Sequence, residues 1–175
     1  MNESLQEIFS SIEQQRATLL QELKSATPET LVHSKNEKWS TSQIARHLIT
    51  AERLSVGYIN KKINAIGEVE NTGLLSELKL WIFIVSQRLP IKYKAPATLG
   101  DQPTNYLSIE ALEKDWDDAR ADLKKLLENF PSTGLKKKIY RHPVMGRCNI
   151  VHALIFFREH TIHHWPQINR LLNRD

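Results

Sequence analysis

The sequence predicts an all-α protein in which four long helices form a bundle, with one short extra helix and one long crossover between the second and third long helices. Apolar residues recur at helical spacing through most of the 175 residues. No segment shows the sustained alternation of period two that a half-buried strand would have. The composition, 41% hydrophobic and 25% charged, is that of an ordinary globular protein, and the length suits one domain over residues 1–175.

The first two long helices are separated by a break at Thr27-Pro28. The second helix begins at Ser40, which has the spacing of a capping box with Gln43, and it extends to about Ile66. The apolar stripe of the first helix consists of Leu5, Ile8, Phe9, Ile12, Leu19, Leu20 and Leu23.

A shorter helical segment runs from Leu74 to Leu89 and stops at Pro90. The connection from Pro90 to about Leu107 contains three prolines and one glycine. Loops of this length in a compact domain are usually lids or crossovers. Ser108 then caps a helix whose apolar residues alternate three and four apart until Pro131, the spacing of a bundle seam.

The last helix is predicted after residues 136–146, which form a loop or a short hairpin. Asn149 is its predicted cap. Its stripe consists of Ile150, Ala153, Leu154, Phe157, His160, His164, Ile168 and Leu171.

Composition excludes several function classes. The single cysteine rules out an internal disulfide framework and a multi-cysteine zinc site. The net charge of +4 is mild, and no recognition helix accompanies the lysines, so nucleic acid is not an expected partner. No signal peptide is recognisable, and the longest apolar run, Leu80 to Val85, is far short of the roughly 20 residues of a membrane span. We expect a cytoplasmic protein that does not bind membranes.

Three of the seven histidines occupy stripe positions where an apolar residue is expected. His160 and His164 are four residues apart, so their rings lie on one face of the last helix. His47 is the only other histidine on a predicted stripe. It lies about 10 Å from the start of its helix, and the His160–His164 pair lies roughly 12–18 Å from the end of the last helix. If the two helices are antiparallel, the three rings reach a similar depth, which is compatible with one site.

Three neutral imidazoles can hold one divalent ion and leave a coordination position open, which is typical of catalytic rather than structural zinc. Zinc, nickel and iron all accept imidazole ligands. Three histidines that merely pack in or near the core would give the same pattern, and this alternative stays open. A zincin is excluded because Thr161, not Glu, follows His160, and a di-iron carboxylate bundle is excluded because its Glu-x-x-His pairs are missing.

The residues around these histidines have more than one interpretation. Gln167 is either a partner that orients the His164 imidazole or a glutamine on a solvated helix face. His163 is expected at the rim of the site. Cys148, roughly 18 Å along the axis from His160, is expected to be a small packing residue.

Further residues are predicted to lie away from the site. Glu52 is rotated off the face of His47, His142 is a loop residue near the mouth, and Arg158 and Glu159 lie on solvated or interface faces. The four tryptophans are predicted anchors of the bundle: Trp39, Trp81, Trp116 and Trp165.

Several segments carry motifs of a known family. One motif consists of Lys38-Trp39-Ser40 followed by Ile44-Ala45-Arg46-His47-Leu48. Another consists of residues 141–146 and residues 156–168. In this second motif a histidine is followed four residues later by a second histidine and then by a Gln-Ile pair. Together they resemble the DinB/YfiT-like superfamily of four-helix-bundle metalloenzymes. Residues 93–96 are similar to the subset with an elongated crossover.

The resemblance implies an up-down-down-up bundle, a divalent ion on His47, His160 and His164, and a homodimer. It also implies metal-dependent transfer or isomerisation with low-molecular-weight thiols. Pro166 departs from the family pattern, in which Gly is common, and a proline there can kink the helix beside His164.

Two functions are therefore predicted. The first is a metal-dependent enzyme acting on a small molecule, a thiol-dependent S-transferase or a related hydrolase or isomerase, whose reactive sulfur comes with a cofactor because Cys148 is the only cysteine. The second is a non-catalytic metal-binding protein or a stress-associated dimeric bundle. The second stays open because no nucleophile–base pair or acid–base carboxylate is recognisable beside the histidines.

Overall fold

The computed structural model describes residues 1–34, 38–89 and 103–172. Within these ranges the chain forms six α-helices, two short 3-10 segments and one two-stranded antiparallel sheet, so the predicted all-α class is confirmed. The helices are α1 (Glu3–Lys24), α2 (Pro28–Val32), α3 (Thr41–Lys62), α4 (Leu74–Gln87), α5 (Ile109–Glu128) and α6 (Ile150–Leu171), and the strands are β1 (Tyr140–His142) and β2 (Gly146–Cys148).

Contacts between α1 and α5 show that these two helices are antiparallel. Lys24, at the end of α1, pairs with Glu113 near the start of α5 at 2.7 Å. Glu13, in the middle of α1, lies 3.4 Å from Arg120, which is further along α5. If α1 is taken as pointing up, α5 points down.

Contacts of α3 complete the up-down-down-up order. At its start, Ser42 accepts a hydrogen bond from the backbone of Tyr106, which precedes α5, so α3 and α5 are parallel. Near its end, Ser55 is hydrogen-bonded to Tyr140, which precedes α6, so α3 and α6 are antiparallel. The predicted bundle topology is therefore confirmed.

Local capping chemistry sets the starts of the helices. Ser40 and Gln43 form the predicted capping box, in which the Ser40 hydroxyl accepts from the Gln43 backbone while the Gln43 side chain accepts from the Ser40 backbone. Ser108 and Asn149 cap α5 and α6 as predicted. The break predicted at residues 27 and 28 is real, but it is followed by the short helix α2, which Thr27 caps and Pro28 opens.

The residues of the crossover that the structure describes pack against the start of α3. The Pro103 carbonyl accepts a hydrogen bond of 2.6 Å from the Gln43 side chain. The remainder of the predicted crossover, residues 90–102, lies outside the described residues. In the described ranges, no helix has both the length and the apolar character that crossing a membrane requires.

The core consists of two apolar clusters. One cluster joins the first half of α1 to the start of α6, and the other joins the end of α1 to the start of α3 and the end of α6. The bundle also buries His47 and the ion pair Glu52–Arg120, whose atoms are 2.9 Å apart. The candidate site therefore lies on helices of the bundle, with His47 buried and His160 and His164 partly buried, rather than in a surface loop.

Candidate metal centre

The three predicted histidines converge on one point between α3 and α6. The ring centroids are 4.9 Å apart for His47 and His160, 4.9 Å for His160 and His164, and 5.1 Å for His47 and His164. The angles between the ring planes are 77°, 67° and 73°, so the rings stand edge to face rather than stacked. This near-equilateral arrangement brings one nitrogen of each ring to a common centre.

The nitrogen positions fit a single metal ion. The Nε2 atoms of His47 and His160 lie 3.1 Å apart, and one ligand atom from each of the three residues lies within 4.8 Å of the other two. Two imidazole nitrogens bound tetrahedrally to one zinc ion would be about 3.3 Å apart. The three nitrogens are therefore close enough to bind one metal ion once the side chains adjust to its coordination distances.

Burial favours the neutral rings that a metal requires. It lowers the pKa of His47 to about 4 and is also the main reason that the pKa of His164 falls to about 3. Burial, and then repulsion from His164 and His47, lowers the pKa of His160 well below 6.5. At neutral pH each ring therefore keeps a lone pair, so metal binding does not have to displace a proton from an imidazolium.

Gln167 determines which nitrogen of His164 faces the centre. Its side-chain oxygen lies 3.1 Å from His164 Nδ1, and an amide oxygen can only accept, so Nδ1 carries the proton. The lone pair of His164 is then on Nε2. Of the two interpretations of Gln167, the contact with His164 is the one the structure contains.

Aromatic side chains pack against two of the three histidines. Phe156 stacks on His160 with the ring centroids 5.0 Å apart and the planes inclined by 21°. Trp39 packs against His47 with the ring centroids 5.0 Å apart. The wall is therefore apolar beside His160 and His47, which strengthens electrostatic interactions there.

A fourth histidine, His142, lies behind this wall and is not the loop residue that the sequence predicted. It belongs to β1, is buried, and contacts Phe156 with the ring centroids 4.4 Å apart. Its Nδ1 accepts hydrogen bonds from the backbone of Val144 and Met145, so the proton is on Nε2. The hairpin that holds His142 closes at Gly146, whose φ of 75° strongly favours glycine.

The prediction that Arg158 and Glu159 lie on solvated or interface faces is wrong for Glu159. Its side chain is fully buried and is held by Arg88, which donates through Nε and Nη2 at 3.0 and 3.1 Å, and by Arg158. Sequence reasoning missed this because Arg88 is 71 residues away along the chain. The contact ties the end of α4 to the helix that carries His160.

A second contact joins the end of α4 to the same face. His163 Nδ1 lies 2.9 Å from the carbonyl oxygen of Gln87, so this nitrogen donates to it. His163 is half-buried and lies beside His164, with the ring centroids 5.2 Å apart. It is outside the group of three residues whose nitrogens converge.

The remaining candidates lie elsewhere. Cys148 is buried, and this burial raises the pKa of its thiol to about 12, so the expectation of a packing residue is confirmed. Glu52 is buried against Arg120 and away from His47, as predicted. Trp116 is a fully buried anchor, but Trp81 is 71% exposed, so its prediction as an anchor is wrong.

The family model of the DinB superfamily matches residues 11–168, which extend from within α1 to within α6 and include all three histidines. The chain belongs to the DinB superfamily. No curated protein and no solved structure matches it. For this DinB-superfamily chain, membership and the three-histidine cluster are both compatible with a metal-binding enzyme.

Proposed function

We propose that this DinB-superfamily protein is a metal-dependent enzyme in which His47, His160 and His164 bind one divalent ion, zinc, nickel or iron. The convergence of three neutral imidazoles, two of them packed against aromatic rings, carries the proposal. Gln167 accepts a hydrogen bond from His164 Nδ1, which leaves the lone pair of Nε2 available to the ion. The proposed reaction is transfer of a low-molecular-weight thiol to a small electrophile, or a related hydrolysis or isomerisation, by a cytoplasmic homodimer.

The residues have distinct roles in this proposal. The three histidines bind the ion, which when bound would supply Lewis acidity and lower the pKa of a coordinated thiol or water. Phe156 and Trp39 shield one side of the His160 and His47 rings from water. Cys148 is no source of reactive sulfur because its thiol is buried and protonated, which supports a thiol that comes from outside the chain.

A non-catalytic metal-binding or stress-associated dimeric protein is the second candidate. It is favoured by the state of the two buried carboxylates nearest to the histidines in the chain. Glu159 is neutralised by Arg88 and Arg158, and Glu52 by Arg120, so neither is available as a general base. An enzyme with this site would therefore use groups other than these two carboxylates for its proton transfers.

Metal binding is tested by titrating chelator-treated protein with Zn²⁺, Ni²⁺ and Fe²⁺ under calorimetry, with elemental analysis of the product. We expect one ion per chain for the wild type and for His33→Ala, a control that removes an exposed histidine outside the cluster. His160→Ala should abolish binding, and Gln167→Ala should weaken it about 10- to 100-fold. A wild type that binds no ion, or a His160→Ala variant that binds as tightly, would overturn the site.

Activity is tested with metal-loaded protein, a panel of low-molecular-weight thiols and a generic chromogenic electrophile. We expect turnover with at least one thiol, lost in His160→Ala and retained in His33→Ala. Stoichiometric metal binding without turnover for any thiol would instead support the non-catalytic candidate.

A further inference from the structure

The outward face of α4 is an apolar surface that stays exposed within the described part of the chain. The helix packs on the protein through buried residues, chiefly Leu80 and Phe83. On its other side Leu74 is 90% exposed and Trp81 is 71% exposed. The exposed stripe consists of Leu74, Leu75, Leu78, Trp81, Ile82, Val85 and Leu89.

The size of this stripe matches what an interface needs. An aromatic side chain presents roughly 150–250 Å², and Leu, Ile and Val are near the lower end of that range, so the exposed fractions of these seven residues amount to about 650 Å². That is at the upper limit of the largest apolar patch of a typical monomer, about 300–600 Å². It is comparable to the area that each partner buries in a standard protein–protein interface, about 800 Å².

Six of the seven residues of the stripe lie symmetrically about the point between Trp81 and Ile82, and the exception is Leu75, whose counterpart is Arg88. Leu78 and Val85 lie at equal distances on either side of this point, and so do Leu74 and Leu89, which follows the last residue of α4 by two positions. Two copies of the helix packed antiparallel around a two-fold axis would place Trp81 against Ile82, Leu78 against Val85 and Leu74 against Leu89. A two-fold interface requires this self-complementarity, in which each residue of a pair meets the other one on the second copy.

The charges on α4 favour a protein partner over a lipid surface. Helices that lie in a membrane interface are rich in Lys and Arg on their polar side. The described helix carries Lys79 and Glu77, which offset each other, and Arg88 at its end is engaged by Glu159. The spacing of three and four residues along the stripe is that of helix–helix seams.

We propose that the α4 stripe is the surface through which two copies of this chain associate, antiparallel and around a two-fold axis centred between Trp81 and Ile82. This names the surface for the homodimer of the proposed function. It does not depend on metal binding by the histidines. In each copy, α4 then carries the contacts to the other copy. Its end also provides the contacts of Gln87 and Arg88 to α6 of the same copy.

The test is charge complementation across the predicted pair of Leu78 and Val85. Both side chains are exposed, so Leu78→Glu and Val85→Lys should leave the fold intact, which circular dichroism and unchanged metal binding relative to the wild type check. Sedimentation velocity should show a dimer for the wild type and a monomer for each variant alone. Mixing the two variants should restore a dimer, because the introduced glutamate of one chain then faces the introduced lysine of the other.

Cysteine cross-linking tests the register. In the proposed arrangement the two Ile82 positions of a pair nearly coincide along the axis, whereas the two Leu74 positions are about 22 Å apart. Ile82→Cys should therefore form a disulfide-linked dimer on mild oxidation and Leu74→Cys should not, while native Cys148 stays buried. Any of three results would overturn the inference. The wild type could be monomeric at a concentration on the order of 100 µM, the dimer could persist in Leu78→Glu, or the monomer could co-sediment with anionic vesicles.

Discussion

Single side chains in this protein owe their chemistry to burial more than to neighbouring charges. Burial is the largest influence on the pKa of each of the three converging histidines and of Cys148. The ionised form of each group is disfavoured because water can no longer solvate it. Imidazoles thereby become ready metal ligands, and the thiol becomes inert.

The state of Cys148 leads to a direct prediction. Native protein should react with a thiol reagent such as 5,5′-dithiobis(2-nitrobenzoate) at least about 100-fold more slowly than protein unfolded in guanidinium, because a buried thiol of raised pKa offers almost no thiolate. Absorbance of the released chromophore measures both rates. Rapid labelling of the folded protein would show that Cys148 is a source of reactive sulfur, against the proposed function.

His142 predicts a pH dependence of stability. Burial lowers its pKa to about 4, so the folded state binds fewer protons than the unfolded state below the ordinary histidine value of 6.5. The stability it contributes is complete above 6.5 and is lost as the pH falls toward 4. In chelator-treated protein, His142 should account for a loss of about 2 kcal/mol in unfolding free energy between pH 7 and pH 4.5.

The matched variant for this measurement is His142→Asn. The Asn side-chain oxygen can accept the backbone hydrogen bonds of Val144 and Met145 that Nδ1 accepts in the native protein, but it does not titrate. Urea unfolding at each pH should give a shallower decline for this variant. If the unfolding free energy fell equally steeply with pH in both proteins, His142 would not be the source of the pH dependence.

Among the elements, α6 carries most of the site and also contains a proline. The helix is continuous from Ile150 to Leu171 with Pro166 inside it and exposed, so the proline does not end the helix after His164. Pro166 has no N–H to donate to the carbonyl of Ile162 and its ring crowds that carbonyl. The two histidines and Gln167 nevertheless occupy one side of the helix and reach one another.

Replacement of this proline should stabilise the helix. Pro166→Ala is expected to raise the unfolding free energy by up to about 3 kcal/mol, and Pro166→Gly by about 1 kcal/mol less, since these are the differences in helix propensity. Chemical denaturation measures both. The zinc dissociation constant of each variant should change less than tenfold. A larger loss of zinc affinity in both variants would mean that the proline positions His164.

Within the whole molecule, the candidate metal would link two helices that are far apart in the chain. His47 is on α3, and His160 and His164 are on α6, separated from it by 113 residues or more. An ion that binds only the folded chain therefore stabilises the contact between α3 and α6. At a free concentration about 1,000 times its dissociation constant, it should add about 4 kcal/mol to the unfolding free energy.

Thermal unfolding with and without a chelator measures this effect. For a chain of this size, about 4 kcal/mol corresponds to roughly 10 °C in Tm. His33→Ala should show the same shift as the wild type, and His47→Ala should show none. A chelator shift that survives in His47→Ala would place the stabilising ion elsewhere.

Local sequence chemistry was sufficient to predict much of this fold. Capping at Ser40, Ser108 and Asn149 depends on residues within one turn, and the helical stripes depend on a short repeat, so both could be read from the chain alone. The stripes also identified the three histidines, because a polar residue at an apolar position needs a reason. The short helix α2 is not among the predictions because its five residues are too few to show a helical period.

The sequence by itself determined the all-α bundle and the three histidines that share its interior. Only the tertiary structure decided that their nitrogens converge, that Arg88 reaches Glu159 and that Trp81 faces outward. The reason is that periodicity indicates one face of a helix, whereas contacts between residues about 70 to 117 positions apart depend on how helices dock. An apolar stripe looks the same in a sequence whether it meets the core of its own chain or, as we propose for α4, a second copy of the protein.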